Sequence, residues 1–280
     1  MTPAVPTAAE PASAQLPARR AGFGHLLLSE WTKIRSVRST VWTLILLLVL
    51  TLGITGLIAG ITAAQWNKIG QASRVQILTD PISTILGPGL EFGQLTIIVL
   101  GVLVISTEYS TGAIRASLLA VPHRTAMLAA KGVTFAALVF VVGEVVSFLT
   151  YFLGALILHA HVPVSLSDPG VTRAVFGAGL YLTVLGLFAM AIGSLVRHTA
   201  GAITGVIAFV IVLEPLSQLI PGTWGDHIHD YLPTSAGRLI IAIKPVDHQV
   251  LSAWQGFGVF CVWTAVLLAA AVILLNRRDA

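Results

Sequence analysis

Apolar residues arrive in six blocks of about 20, at 41–61, 88–107, 133–158, 174–196, 200–219 and 254–275, with short polar stretches between them. A run of about 20 apolar residues is what a helix needs to cross the hydrocarbon core. The first block, VWTLILLLVLTLGITGLIAGI, carries no charge at all. Inside lipid the backbone must satisfy its own hydrogen bonds, which leaves helices or a closed barrel. A barrel would need short segments of strictly alternating polarity, and none is present. The pattern therefore predicts an all-α membrane protein with six transmembrane helices.

Two shorter textures precede the first block. Residues 1–21, rich in Ala, Pro, Thr and Ser and containing Arg19 and Arg20, read as a disordered cytoplasmic tail ahead of a membrane domain over 22–280. From Phe23 to Arg38, the residues Phe23, Leu27, Trp31 and Ile34 recur at helical spacing, while Ser29, Glu30, Lys33 and Arg35 fall largely on other faces. That predicts an amphipathic interfacial helix before the first span, with Trp and Lys/Arg as its anchors. A plain cytoplasmic extension of the first span is the alternative.

Composition sharpens this picture. The chain is 56% hydrophobic and 10% charged, against roughly 25% charged in soluble domains. No room is left for a soluble catalytic domain. The net charge of +4 does not point to nucleic acid, because the basic residues sit at block ends and not in one patch; anionic headgroups suffice. With the N-terminus inside, 11 of the 16 Lys and Arg fall on the cytoplasmic side, which places both termini there in the bacterial plasma (inner) membrane. Cys261 is the lone cysteine, so no intrachain disulfide forms.

The connection over 108–132, TEYSTGAIRASLLAVPHRTAMLAAKG from Thr107, is the richest in candidate chemistry. Ser110, Thr111 and Gly112 can start a short helix, Leu118 and Leu119 offer apolar contacts, and Pro122 breaks it before the next span. Leucines flanked by Arg115 and Arg124 make either a docking surface or a set of self-contacts with arginines enforcing topology. The connection at Arg197 and His198 is only a tight turn.

The run from Glu108 to Arg115, then Leu118 to Arg124 and Ala130-Lys131, resembles the cytoplasmic loop between the second and third spans of type 2 ABC exporter permeases. The order of elements from about residue 22 resembles that family too: an elbow helix, six spans, a coupling helix after the second, a tight turn between the fourth and fifth, and a long outer connection before the sixth. The resemblance implies a permease subunit that exports an amphipathic, drug-like or lipid-like substrate. It implies coupling through Glu108, Gly112, Arg115, Leu118, Leu119, Pro122 and Arg124, and through elbow residues Leu27, Trp31, Lys33, Ile34 and Arg35. It also implies two ABC ATPase subunits and a second permease copy, identical or related. ATP and magnesium would sit on the ATPase, with no cofactor on this chain. In keeping with that, none of Lys33, Lys68, Lys131 and Lys244 follows a glycine, as a phosphate-cradling loop requires. The spacings Gly56 to Gly60 and Gly201 to Gly205 permit close helix packing, within one chain or between two.

Two carboxylates fall inside apolar blocks. Glu144 is near the centre of the third and Glu214 precedes Pro215 in the fifth. Burial of a carboxylate in a span costs roughly 2.5 to 3.5 kcal/mol on insertion scales, so each is a candidate for the transport pathway. They equally suit an ion-coupled secondary transporter as proton sites, and Glu144 equally suits a bond to a neighbouring helix. His159, His161, His227, His229 and His248 lie in the outer connections with a spacing that matches no established metal motif, so no metal site is assigned. In the last connection, LPTSAGRLIIAI is too short to span and predicts a re-entrant or surface helix.

Overall fold

A computed structural model of the chain describes residues 22–110, 124–244 and 250–277. Among these there are no strands, and six helices are long and apolar enough to cross a membrane. The protein is a multi-pass, all-α membrane protein.

Helix α1 (Phe23–Ser36) ends at an extended Val37, after which α2 (Arg38–Ala64) begins at once. The short α3 (Gln71–Thr79) leads into α4 (Pro81–Ser110), and α5 (Arg124–Leu158) and α6 (Val171–Val196) follow. The fifth span is composite: α7 (Thr199–Ala208), a π turn over Phe209–Leu213, and α8 (Glu214–Ser217). Two short helices, α9 (Thr223–Tyr231) and α10 (Pro233–Arg238), precede the last span, α11 (Ala253–Arg277).

The spans are longer than the apolar blocks, and each extension has a local cause. Helix α4 starts at Pro81, seven residues before the block, where the missing N–H of proline is harmless and Asp80 accepts the Ser83 N–H at 3.1 Å. Pro88 is carried inside that helix and does not begin it. At their other ends α4 and α5 run on through Glu108 and Lys131, so both residues lie on helices. Of the expected 108–132 connection, only 111–123 lies outside the described residues.

Helix α6 is the axis of the bundle. Its Ala174, Ala178, Tyr181, Leu182, Leu185 and Ala189 are wholly buried, and α4, α5, α7 and α11 pack around it. Helix α2 lies across α4 and α5. Glycines set the closest approach: a Cβ on Gly89 would lie 2.5 Å from the Thr51 carbonyl oxygen, and one on Gly93 would fall on the Thr51 hydroxyl. With little hydrophobic driving force between helices in lipid, such backbone contact is what holds them together. The sequence spacings Gly56 to Gly60 and Gly201 to Gly205 play no such part within the chain. Gly60 and Gly205 face open space, and a Cβ on Gly56 would meet only the Leu153 side chain, at 3.6 Å.

Candidate functional site

The end of the bundle that carries α1 holds a buried ionic cluster. Glu30 lies on the face of α1 turned toward the spans, four residues before the buried Ile34. Glu108 sits in the last turn of α4 and Lys131 in the second turn of α5, the two helix ends that bound 111–123. Lys131 donates to Glu108 at 2.8 Å and also to Glu30. Lys33 donates to Glu30 at 2.7 Å and to Glu108 at 3.3 Å. The two lysines and two carboxylates sum to no net charge. Lys131 and Glu30 are only 2% and 3% exposed, so the cluster survives burial by internal pairing. Burial alone would raise the Glu30 carboxyl, but Lys131 and Lys33 together hold it below the usual carboxylate range. Burial would likewise lower Lys33, and its bonds to Glu30 and Glu108 outweigh that and raise it.

The cluster joins three elements that are far apart in sequence. Helix α1 is bolted to the roots of the connection it flanks, so a displacement of those roots is passed to α1 through buried charge. Arg197 adds a second tie at this end. It closes α6 in the left-handed conformation (φ 56°), and its guanidinium lies 5.0 Å from the centre of the Tyr109 ring of α4. The tight turn ends when the His198 Nδ1 accepts the Gly201 N–H at 3.1 Å and starts α7.

Of the residues singled out from sequence, Gly112, Arg115, Leu118, Leu119 and Pro122 lie outside the described residues, and Arg124 opens α5 with its side chain likewise outside them. On α1, Ile34 is buried, Leu27 half-buried, and Trp31 and Arg35 exposed. Sequence reasoning missed Glu30 and Lys131. The sequence pattern places Glu30 on the polar face of the first helix, and Lys131 in the connection as a topological charge and as part of the family-like run. The overlooked signal was a lone lysine within the apolar run that becomes α5, which demands a carboxylate from elsewhere.

The opposite end holds a second polar layer, built around the connection before α11. The Trp263 indole donates to the Tyr231 carbonyl at 3.1 Å, ten residues into α11, or about 15 Å along its axis. Helix α10 then crosses α11 at Gly256, where a Cβ would lie 2.5 Å from the Ala236 carbonyl oxygen. Arg173, in the first turn of α6, donates to the carbonyls of Ile240 at 3.0 Å and Ala242 at 2.8 Å. The segment thus packs along the side of α11 and returns to α6, and of the re-entrant or surface helix expected from the sequence the helix itself covers only Pro233–Arg238. Its exposed carbonyls are capped by Arg173, meeting the need of backbone away from water.

Glu214 belongs to this layer. The π turn before it, closed by its own N–H on the Phe209 carbonyl, takes up the break imposed by Pro215. Its carboxylate accepts the Thr234 hydroxyl at 2.8 Å and lies 4.0 Å from the Arg238 Nε. Arg238 grips Glu91 of α4 with both terminal nitrogens, and its Nε reaches the Tyr181 hydroxyl at 3.4 Å. Tyr181 donates to Gln94 at 2.9 Å.

Glu144 is different. It lies in the seam between α5 and α6, and a Cβ on Gly179 would sit 2.5 Å from its carboxyl. Both carboxyl oxygens are buried and find no partner among the described residues. The structure therefore does not bring Glu144 and Glu214 into one site. The histidines of the connections are also dispersed: the His161 ring lies 5.1 Å from that of Trp66 at a tilt of 43°, His229 pairs with the Ser217 hydroxyl at 2.8 Å, and His248 lies outside the described residues.

No protein-family model matches the chain, and no curated protein matches it.

Proposed function

We propose that this chain is the membrane permease subunit of an ATP-driven exporter of the type 2 ABC kind, working with two separate ATPase subunits and a second permease copy. The observation that carries the reading is the buried ionic cluster of Glu30, Lys33, Glu108 and Lys131. An ATPase that pushes on 111–123 needs a rigid path to the spans, and Lys131 fastens both ends of that connection to each other and to α1. Coupling by a two-state element needs such a stiff joint at its input. In this reading ATP and magnesium stay on the partner, α1 acts as the elbow, and the re-entrant segment around α10 closes the far end of an outward path for amphipathic cargo. The faces at Gly60 and Gly205, where a Cβ would meet nothing, are available to the second permease.

The test is co-purification and transport. Extraction in mild detergent is expected to recover an ATPase chain, and Arg115→Glu or Leu119→Asp to release it. Vesicles holding the complex are expected to move cargo only with ATP. Retention of the ATPase by both variants would overturn the docking assignment.

A second reading, an ion-coupled transporter, draws on one specific feature: the unpartnered Glu144 carboxyl. It requires transport by the isolated chain on a proton gradient, and loss of that transport in Glu144→Gln. The exporter reading requires no transport without the ATPase.

A further inference from the structure

Beside the ionic cluster, α1, the start of α2 and the last turns of α4 enclose a cavity of about 300 Å³. That is the lower end of the range for small-molecule sites. Its wall is divided. Ile34, Val37, Leu100, Leu103 and Val104 make one side apolar. Lys33, Ser36, Ser39, Thr40 and Thr107 make the rim polar, where the extended Val37 breaks the helix and turns the chain, and Glu108 and Lys131 of the ionic cluster close the cavity behind them. We propose that this cavity is a binding site for an anionic phospholipid, with an acyl chain against the Leu100 to Val104 wall and the phosphate at the Lys33 to Thr40 rim.

Two observations choose this occupant over a neutral amphiphile. First, the wall belongs to the end of a span and opens toward the exposed Ser36, Val37 and Ser39, so a chain entering from the bilayer meets apolar surface and its headgroup meets hydroxyls. Second, the charges that line the cavity cancel within the ionic cluster, and the positive excess beside the rim comes from arginines next to it in the chain. Glu30 and Glu108 are already matched by Lys33 and Lys131, while Arg35 and Arg38 flank the rim residues, and the sequence holds no acidic residue between Glu30 and Asp80. A phosphate diester supplies the missing anion. A cationic surface segment attracts anionic lipid by about 1 kcal/mol per charge, which corresponds to roughly fivefold in affinity. This inference goes beyond the transport reading and holds whatever drives transport. It gives the joint between α1 and α4 a sensitivity to leaflet composition.

The experiment titrates the purified full chain in detergent with phosphatidylglycerol, with phosphatidylcholine of the same acyl chains, and with inorganic phosphate, following the unfolding midpoint and lipid retention by native mass spectrometry. Phosphatidylglycerol is expected to raise the midpoint saturably and to remain bound. Phosphatidylcholine is expected to bind several-fold more weakly, and phosphate alone to do nothing. Leu103→Trp, which fills the cavity, is expected to abolish the phosphatidylglycerol effect. Ser39→Glu, at the exposed rim, is expected to weaken it about fivefold and leave phosphatidylcholine unchanged. Should Leu103→Trp fail to fold, Ser39→Glu decides alone. Equal response to both lipids, full protection by phosphate alone, or a wild-type titration in Ser39→Glu would each overturn the proposal.

Discussion

Replacing Lys131 with methionine tests the physical core of the structure. The side chain is 3% exposed and touches both Glu30 and Glu108. Methionine keeps the length of the stem but removes the ammonium, leaving two buried carboxylates to share Lys33. Breaking a buried pair on one side costs about 3 to 5 kcal/mol, because an uncompensated charge stays behind. The double variant Glu30→Gln, Lys131→Met restores the charge balance, with Lys33 facing Glu108 alone. It is expected to recover much of the loss, giving a coupling of about 1 to 3 kcal/mol between the two sites. Heating detergent-solubilised protein and scoring the fraction still monodisperse on size exclusion reads both quantities in rank order. The single Lys131 variant should fall well below the double. If it matched wild type, or if the two substitutions simply added, the cluster would not be holding α1 to the spans.

Three other outcomes follow. Glu30, depressed below its ordinary value of 4.5, contributes stability that is fully present above that value and lost as pH falls through its folded value; Lys33, raised above 10.5, contributes below 10.5 and loses its share above it. Thermal stability against pH should therefore fall at the acid and alkaline ends, and Glu30→Gln should flatten the acid limb. Gly93→Leu should drive α2 off α4 and prevent recovery of folded protein, whereas Gly53→Leu, facing open space, should express and purify as wild type. Arg238→Gln frees Glu91 and loosens Tyr181, so maleimide labelling of a cysteine placed at Ser235, which is 6% exposed, should accelerate; an unchanged rate would show that the segment around α10 is not pinned by this arginine.

The six spans were legible because hydrophobic length is a property of consecutive residues. The placement of Glu108 in a loop was not correct, since helix ends past the hydrocarbon edge carry no apolar signature: α4 and α5 continue through polar residues that only their ionic partners justify. Glu30 shows the same limit. At helical spacing it falls beside Lys33 and reads as a solvated pair, yet it turns inward because Lys131, 101 residues away, is waiting there. Pairing across that separation leaves no local trace. At Glu214 the following Pro215 marks a position where the span must break. What could not be foreseen was that a π turn absorbs the break and keeps the carboxylate buried against Thr234. The glycines failed for a related reason: Gly-x-x-x-Gly spacing marks a surface able to approach another helix, and only the packing decides that Gly89 and Gly93 meet one within the chain.

The two polar layers differ in what motion they allow. At the α1 end Lys33 is 41% exposed, but Lys131, Glu30 and Glu108 are nearly buried and mutually neutralising, so opening that cluster would strand carboxylates in a dry site. At the opposite end Arg238 is 31% exposed and Glu91 48%, and water can replace each bond as it breaks. Between them lies α6, whose buried face is apolar and glycine-rich, with Gly186 close enough that its carbonyl abuts Gly101 of α4. Close packing of that kind transmits displacement and does not absorb it. A force applied at the α1 end therefore meets a joint that holds, passes along a stiff axis, and reaches a layer whose contacts can be exchanged for water at small cost. On the proposed exporter reading, that asymmetry suits a protein driven from one face, with the segment around α10 as the part that moves.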